Sequence, residues 1–167
     1  MEVLNNMNLI NKNNLTNDTD KNNLLEQYKT YVESADKISD RRINVNTFFI
    51  TLSSALITVM TIFFSNTYLL LLLAFLGIIF STLWFLNLKN YKQINSCKFN
   101  IIQDIEKYLP INLYKTEWNN LTKTKSNKKY IPVSKLEMFL PFIFIIIYTA
   151  IIIYFLFSKI QITITIK

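Results

Sequence analysis

Between Ile43 and Leu88 the chain carries no Asp, Glu, Lys or Arg for 46 residues. A hydrocarbon core about 30 Å thick takes roughly 20 apolar residues at about 1.5 Å each, so a run of that length crosses a membrane twice. Ser65, Asn66 and Thr67 mark the bend, which places the expected transmembrane helices at 43–64 and 68–88. A third uncharged run, 138–158, lies between Glu137 and Lys159 and predicts a third crossing. The pattern is that of an all-α integral membrane protein with three transmembrane helices and cytoplasmic helical extensions.

The polar segments have periods of their own. Residues 1–20 are rich in Asn and lack a clear period, which predicts a flexible lead. Within 21–42, Leu24, Tyr28, Tyr31, Ala35, Ile38, Arg42 and, just beyond, Val45 recur at alternating spacings of four and three, the seam of a coiled-coil-like helix. That seam can pack inside one chain or between subunits. No Gly or Pro separates it from the first span, so one helix can carry both. After Lys89, the residues Tyr91, Ile94, Ile101, Ile105 and Tyr108 continue an apolar helical face up to Pro110, expected to lie antiparallel to the seam. The rest of 89–137 reads as a basic cytoplasmic loop. In 159–167, Ile160–Ile166 alternates Ile with Gln161, Thr163 and Thr165, which predicts a short C-terminal β-strand outside the membrane, paired with neighbouring subunits.

Inside the first span, Asn44, Thr47, Thr51, Ser54, Thr58, Thr61 and Ser65 repeat at three and four residues and form one continuous polar stripe. Lipid rewards no such stripe, so it should face another helix or water. Small hydroxyl residues let helix backbones approach closely and can bond back to the carbonyl four residues earlier. Set around a ring axis, the same residues would line a weakly selective polar pore.

Composition narrows the chemistry. With no His and Cys97 as the single cysteine, disulfide frameworks, histidine metal sites and cysteine-histidine nucleophile pairs are excluded. No cofactor, metal or catalytic residue is expected, and an enzyme is not. Residues 1–42 hold 6 basic and 7 acidic side chains, the hairpin tip none, and 89–137 hold 10 basic and 4 acidic. The positive-inside rule then puts the N-terminus and 89–137 in the cytoplasm, with the tip and the C-terminus outside. Arg41 and Arg42 fall at the cytoplasmic interface, placed to meet lipid headgroups or another anion. Trp118 and Tyr130 stand among Lys123, Lys125, Lys128 and Lys129. Such interleaving suits a nucleotide or oligonucleotide through phosphate neutralisation and stacking, and equally suits an anionic leaflet. The carboxylates Asp104, Glu106, Glu117 and Glu137 are expected as ion-pair partners for the lysines.

Several segments together carry a family likeness: YKTYVESADKISDRRINVNTFF from Tyr28, KFNIIQDIEKYLP from Lys98, the Glu117-Trp118 pair, Tyr130, and SKLEMFLP from Ser134. They resemble the RipA-type octameric small membrane proteins of bacteria over about residues 25–145, and Ser53 stands where the resemblance implies Asn. The resemblance implies an inner-membrane homo-oligomeric ring, possible kinship with membrane effectors encoded beside phage-defence genes, and no catalytic residues. With that ring, the sequence points to a pore or ion channel gated by a cytoplasmic anionic signal, made by a partner enzyme, in anti-phage defence. A non-conducting scaffold that recruits a cytoplasmic partner is the other reading.

Overall fold

The computed structural model describes residues 17–123 and 132–165, with side chains described over 17–122 and 132–158. Five helices follow one another: α1 (Asp18–Ile62), α2 (Thr67–Glu106), α3 (Leu113–Lys123), α4 (Val133–Glu137) and α5 (Leu140–Thr165). Three of these stretches, Asp18–Ile62, Thr67–Glu106 and Val133–Ser158, are long and apolar enough to cross a membrane.

The uninterrupted α1 follows from its sequence: no Gly or Pro occurs across its 45 residues, and Asp18 and Asp20 sit in the first turn, where the helix dipole favours acids. The bend to α2 is tight. Asn66 caps the new helix, its side-chain oxygen accepting the Leu69 amide at 3.2 Å. Helix α2 ends at Glu106, four residues before Pro110, and Pro141 is tolerated as the second residue of α5, where a proline ring fits the first helical turn.

The fold divides into two units. The first combines α1 up to Ile38, α2 from Ile94 onward, and α3. Its interior holds Ala35, Ile102 and Glu106, all essentially inaccessible. The second combines α1 from Ser39, α2 up to Gln93, α4 and α5. Its core gathers Met60, Leu70, Ala74 and Tyr148, flanked by Leu56, Ile57, Phe144 and Phe155.

Two expectations need correction. The tail is not a strand: α5 runs as helix through Ile160 to Thr165, leaving only Ile166 and Lys167 outside the described residues. A lone strand would leave its ladder groups unpaired, whereas a helix bonds its backbone internally and needs no neighbour. The segment after Pro110 is not simply a loop, because α3 and α4 both form within it.

Candidate functional site

In the first unit, the predicted seam faces inward. Leu24, Tyr28, Tyr31 and Ile38 are half-buried and Ala35 is buried. The Tyr28 hydroxyl donates to Glu106 at 3.2 Å, and the Lys98 ammonium donates to Ser34 at 2.7 Å while lying 4.5 Å from the centre of the Tyr31 ring. Of these residues, proposed as an oligomer seam, Tyr28 and Tyr31 make contacts within the chain and Ala35 is buried in it. The facing side of α2 matches the apolar face read in the sequence in part. Asn95, Phe99, Ile102 and Glu106 turn inward at spacings of four, three and four, while Ile94 and Tyr108 are exposed. Tyr91, Ile101 and Ile105 of the predicted face are half-buried as well, and what hydropathy passes over is the polar pair Asn95 and Glu106.

Glu106 is the centre of this unit. It is fully buried, and its carboxylate accepts the Tyr28 hydroxyl, the Tyr114 amide at 2.9 Å and the Lys115 amide at 3.1 Å. Tyr114 and Lys115 are the second and third residues of α3, whose amides have no partner within the helix. A carboxylate there meets both orphan donors and the positive end of the helix dipole. Glu106 is therefore a cap supplied from another helix, not the lysine partner expected of it; Asp104 does pair with Lys107. Burial, and then the neighbouring Glu106 charge, push the Tyr28 phenol up to about 12. Burial likewise raises Tyr31 and Tyr114. Tyr114 packs on Phe99 with ring centres 5.5 Å apart.

In the second unit, three helices meet at Gly77. A Cβ built there would come within 2.5 Å of the Tyr148 ring, so α2 and α5 pack closely only because the side chain is absent. The buried Tyr148 hydroxyl then donates to the Ser53 carbonyl of α1 at 3.0 Å. The buried Ser53 and Ser81 hydroxyls have no partner among the described residues. Nearer the charged ends of the spans, Trp84 is fully buried, stacked 6.0 Å from Phe49, and its indole N–H donates to Asn46 at 3.0 Å. Arg42 faces Glu137 at 3.4 Å, both side chains about 15% exposed, an ion pair without hydrogen-bond geometry. Arg42 is thus drawn to a carboxylate of its own chain. Its neighbour Arg41 is exposed.

The polar stripe takes no part in this packing. Asn44, Thr47, Thr51, Ser54, Thr58 and Thr61 are all exposed, while Asn46, Phe49, Ser53, Leu56 and Met60 form the face of α1 that turns to its neighbours. Thr51 and Thr58 donate back to the carbonyls of Thr47 and Ser54, and Thr61 to that of Thr58, at 2.7–3.0 Å. The stripe is not what joins α1 to α2 or α5. Of the residues expected to meet an anion, Trp118 is about half exposed on α3, and Lys123 ends that helix. Lys125, Lys128, Lys129 and Tyr130 lie outside the described residues, as does the lead up to residue 16.

Three apolar helices of spanning length, two of them extended by polar helix and joined by a four-residue bend, define a small polytopic α-helical membrane protein. The chain belongs to the octameric membrane protein family, 8xMP, whose profile matches residues 25–157. The match confirms the likeness read from the sequence, and it makes self-association part of the architecture. No curated protein and no solved structure matches the chain.

Proposed function

We propose that the protein is an inner-membrane effector whose subunits form a ring with the hydroxyl stripe of α1 turned toward the axis, making a pore or ion channel. The observation that carries this reading is the exposure of the whole stripe, Asn44 to Thr61, in a chain whose helix-packing needs are met by other residues. Six polar positions on the outside of a spanning helix gain nothing from lipid. Rotational symmetry brings the same face of every subunit to one axis, where neutral hydroxyls form a wet, weakly selective wall.

The signal in this reading is a cytoplasmic anion such as a nucleotide or oligonucleotide, met by Trp118, Lys123, Lys125, Lys128, Lys129 and Tyr130; Arg41 serves headgroups. Supporting it is the excess of basic residues over 89–137, 10 against 4 acidic. The same excess favours the N-terminus and 89–137 on the cytoplasmic side. An anti-phage role is the setting in which opening an inner membrane on such a signal is useful.

One observation favours the scaffold reading. Thr51, Thr58 and Thr61 bond their hydroxyls to their own helix, which lowers the cost of facing lipid. Ion flux from liposomes separates the two. Thr51→Leu combined with Thr58→Leu should cut flux at least about tenfold, a barrier change of about 1.4 kcal/mol, while the oligomer stays intact. Equal flux from both proteins would refute the pore lining, and loss of the oligomer would assign the stripe to subunit packing.

A further inference from the structure

A second surface is unaccounted for, on α3. Ile111, Leu113 and Leu121 are 65%, 62% and 40% exposed and border one shallow groove, together with Thr116, Glu117 and Asn120. This helix has 11 residues, about the length at which an isolated helix is marginal in water. Its own chain holds it by the two amides on Glu106 and by the Tyr114 ring on Phe99. Tyr114 and Asn119 are half-buried, and the rest of the helix through Thr122 is exposed. The cap fixes where α3 starts, yet the helix offers most of its apolar surface outward.

We propose that this groove is an interface between copies: the α3 face of one subunit docks against the neighbouring subunit of the octamer. Three observations select a second copy. First, the family is octameric, so an adjacent copy is held in the same membrane at high effective concentration. Second, Leu113, Glu117 and Leu121 follow at spacings of four and share one line along the helix. A face that dips into an anionic leaflet gains from a lysine between its leucines and loses with a carboxylate there; a protein neighbour can meet Glu117 with a cation or an N–H donor. Third, Tyr28 and Tyr31 of the α1 seam are engaged inside the chain and Ala35 is buried there, whereas Ile111, Leu113 and Leu121 stay exposed, which leaves the α3 face the more open apolar surface of this unit. In a cyclic ring the contact is heterologous, the α3 groove fitting a different patch of the next subunit.

The test uses the full-length protein, extracted in mild detergent, with mass measured over a dilution series. Leu113→Asp with Leu121→Asp should raise the concentration of half-dissociation at least about tenfold, as expected when the centre of an interface is charged. Glu117→Lys, on an exposed position that leaves folding unaffected, should shift it in the same direction by a smaller factor. Amide exchange along α3 is measured on the parent and the same variants reconstituted in anionic and in neutral phospholipid. An unchanged octamer in which α3 of the parent is protected only in the anionic bilayer would overturn the proposal in favour of a leaflet. An unchanged octamer with the same α3 exchange in both bilayers would overturn it as well, leaving the groove as plain surface.

Discussion

Replacing Glu106 with alanine should free α3 from the first unit. The substitution removes one acceptor that serves three donors, two of them amides at a helix start, and hydrogen bonds to a charged group contribute about 1.5–3 kcal/mol each. The three act as a unit, so the loss should be about 2–4 kcal/mol and not their sum. Amide exchange at Tyr114 and Lys115 should approach that of an open helix end, while the amides of α5 keep their protection. Exchange at those two positions equal to that of the parent protein would show that α3 is held by something else. Burial of Tyr28, and then the Glu106 charge beside it, set an alkaline limit. The Tyr28 phenol lies at about 12 in the folded chain against an ordinary value of 10.0, so folding favours its neutral form. That stability is fully present below about pH 10 and is lost as pH rises through about 12. In Glu106→Ala the nearby negative charge is gone, and the loss over that window should become smaller.

Gly77→Ala should destabilise the second unit although alanine is the better helix former. The added carbon meets Tyr148 ring atoms at 2.5–2.6 Å, and a fully buried ring bonded to Ser53 has no free direction in which to yield. Overpacking of this kind costs about 1–3 kcal/mol, enough to outweigh the roughly 1 kcal/mol gained in helix propensity. The sign should reverse in a Tyr148→Ala background, where the new methyl group enters empty space and only the propensity gain remains. Thermal melts of the four proteins in one detergent complete the cycle. Equal effects of Gly77→Ala in both backgrounds would show that the two residues do not meet as described.

The sequence and the structure agree where apolar period decides the outcome. The 46-residue uncharged run became two helices joined at Asn66, and the seam from Leu24 to Ile38 turned inward at its own spacing. Agreement fails where a polar residue does the packing. Asn95 and Glu106 sit on the inner row of α2, and a search for apolar residues at helical spacing passes over both. Recognising Glu106 as a cap needs a pairing between residues eight and nine apart in sequence, across a proline, that no local pattern encodes. Helix α3 is hidden for a related reason, since its central row reads Leu, Glu, Leu and most of its other residues are polar. The tail shows the opposite error. Ile alternating with Thr suggests a strand, but following directly from a long apolar helix it continues that helix.

The candidate site was partly legible. The stripe from Asn44 to Thr61 can be read from spacing alone, but whether it packs or lies open depends on which row of α1 the other helices cover. The structure gives that row to Asn46, Phe49, Ser53, Leu56 and Met60. Arg42 stood out in the sequence as a cation beside the first span, while its partner Glu137, 95 positions away, did not.

The most direct test of the pore reading is thiol accessibility, read together with current, in the reconstituted protein. On a Cys97→Ser background, single cysteines replace Thr47, Thr51, Ser54 and Thr58 on the stripe, and Leu72 and Phe75 on the exposed apolar face of α2. A membrane-impermeant thiol reagent should react with the four stripe positions and reduce the current, and should leave the two α2 positions unmodified. Stripe cysteines that react no faster than those at Leu72 and Phe75 would contradict the account.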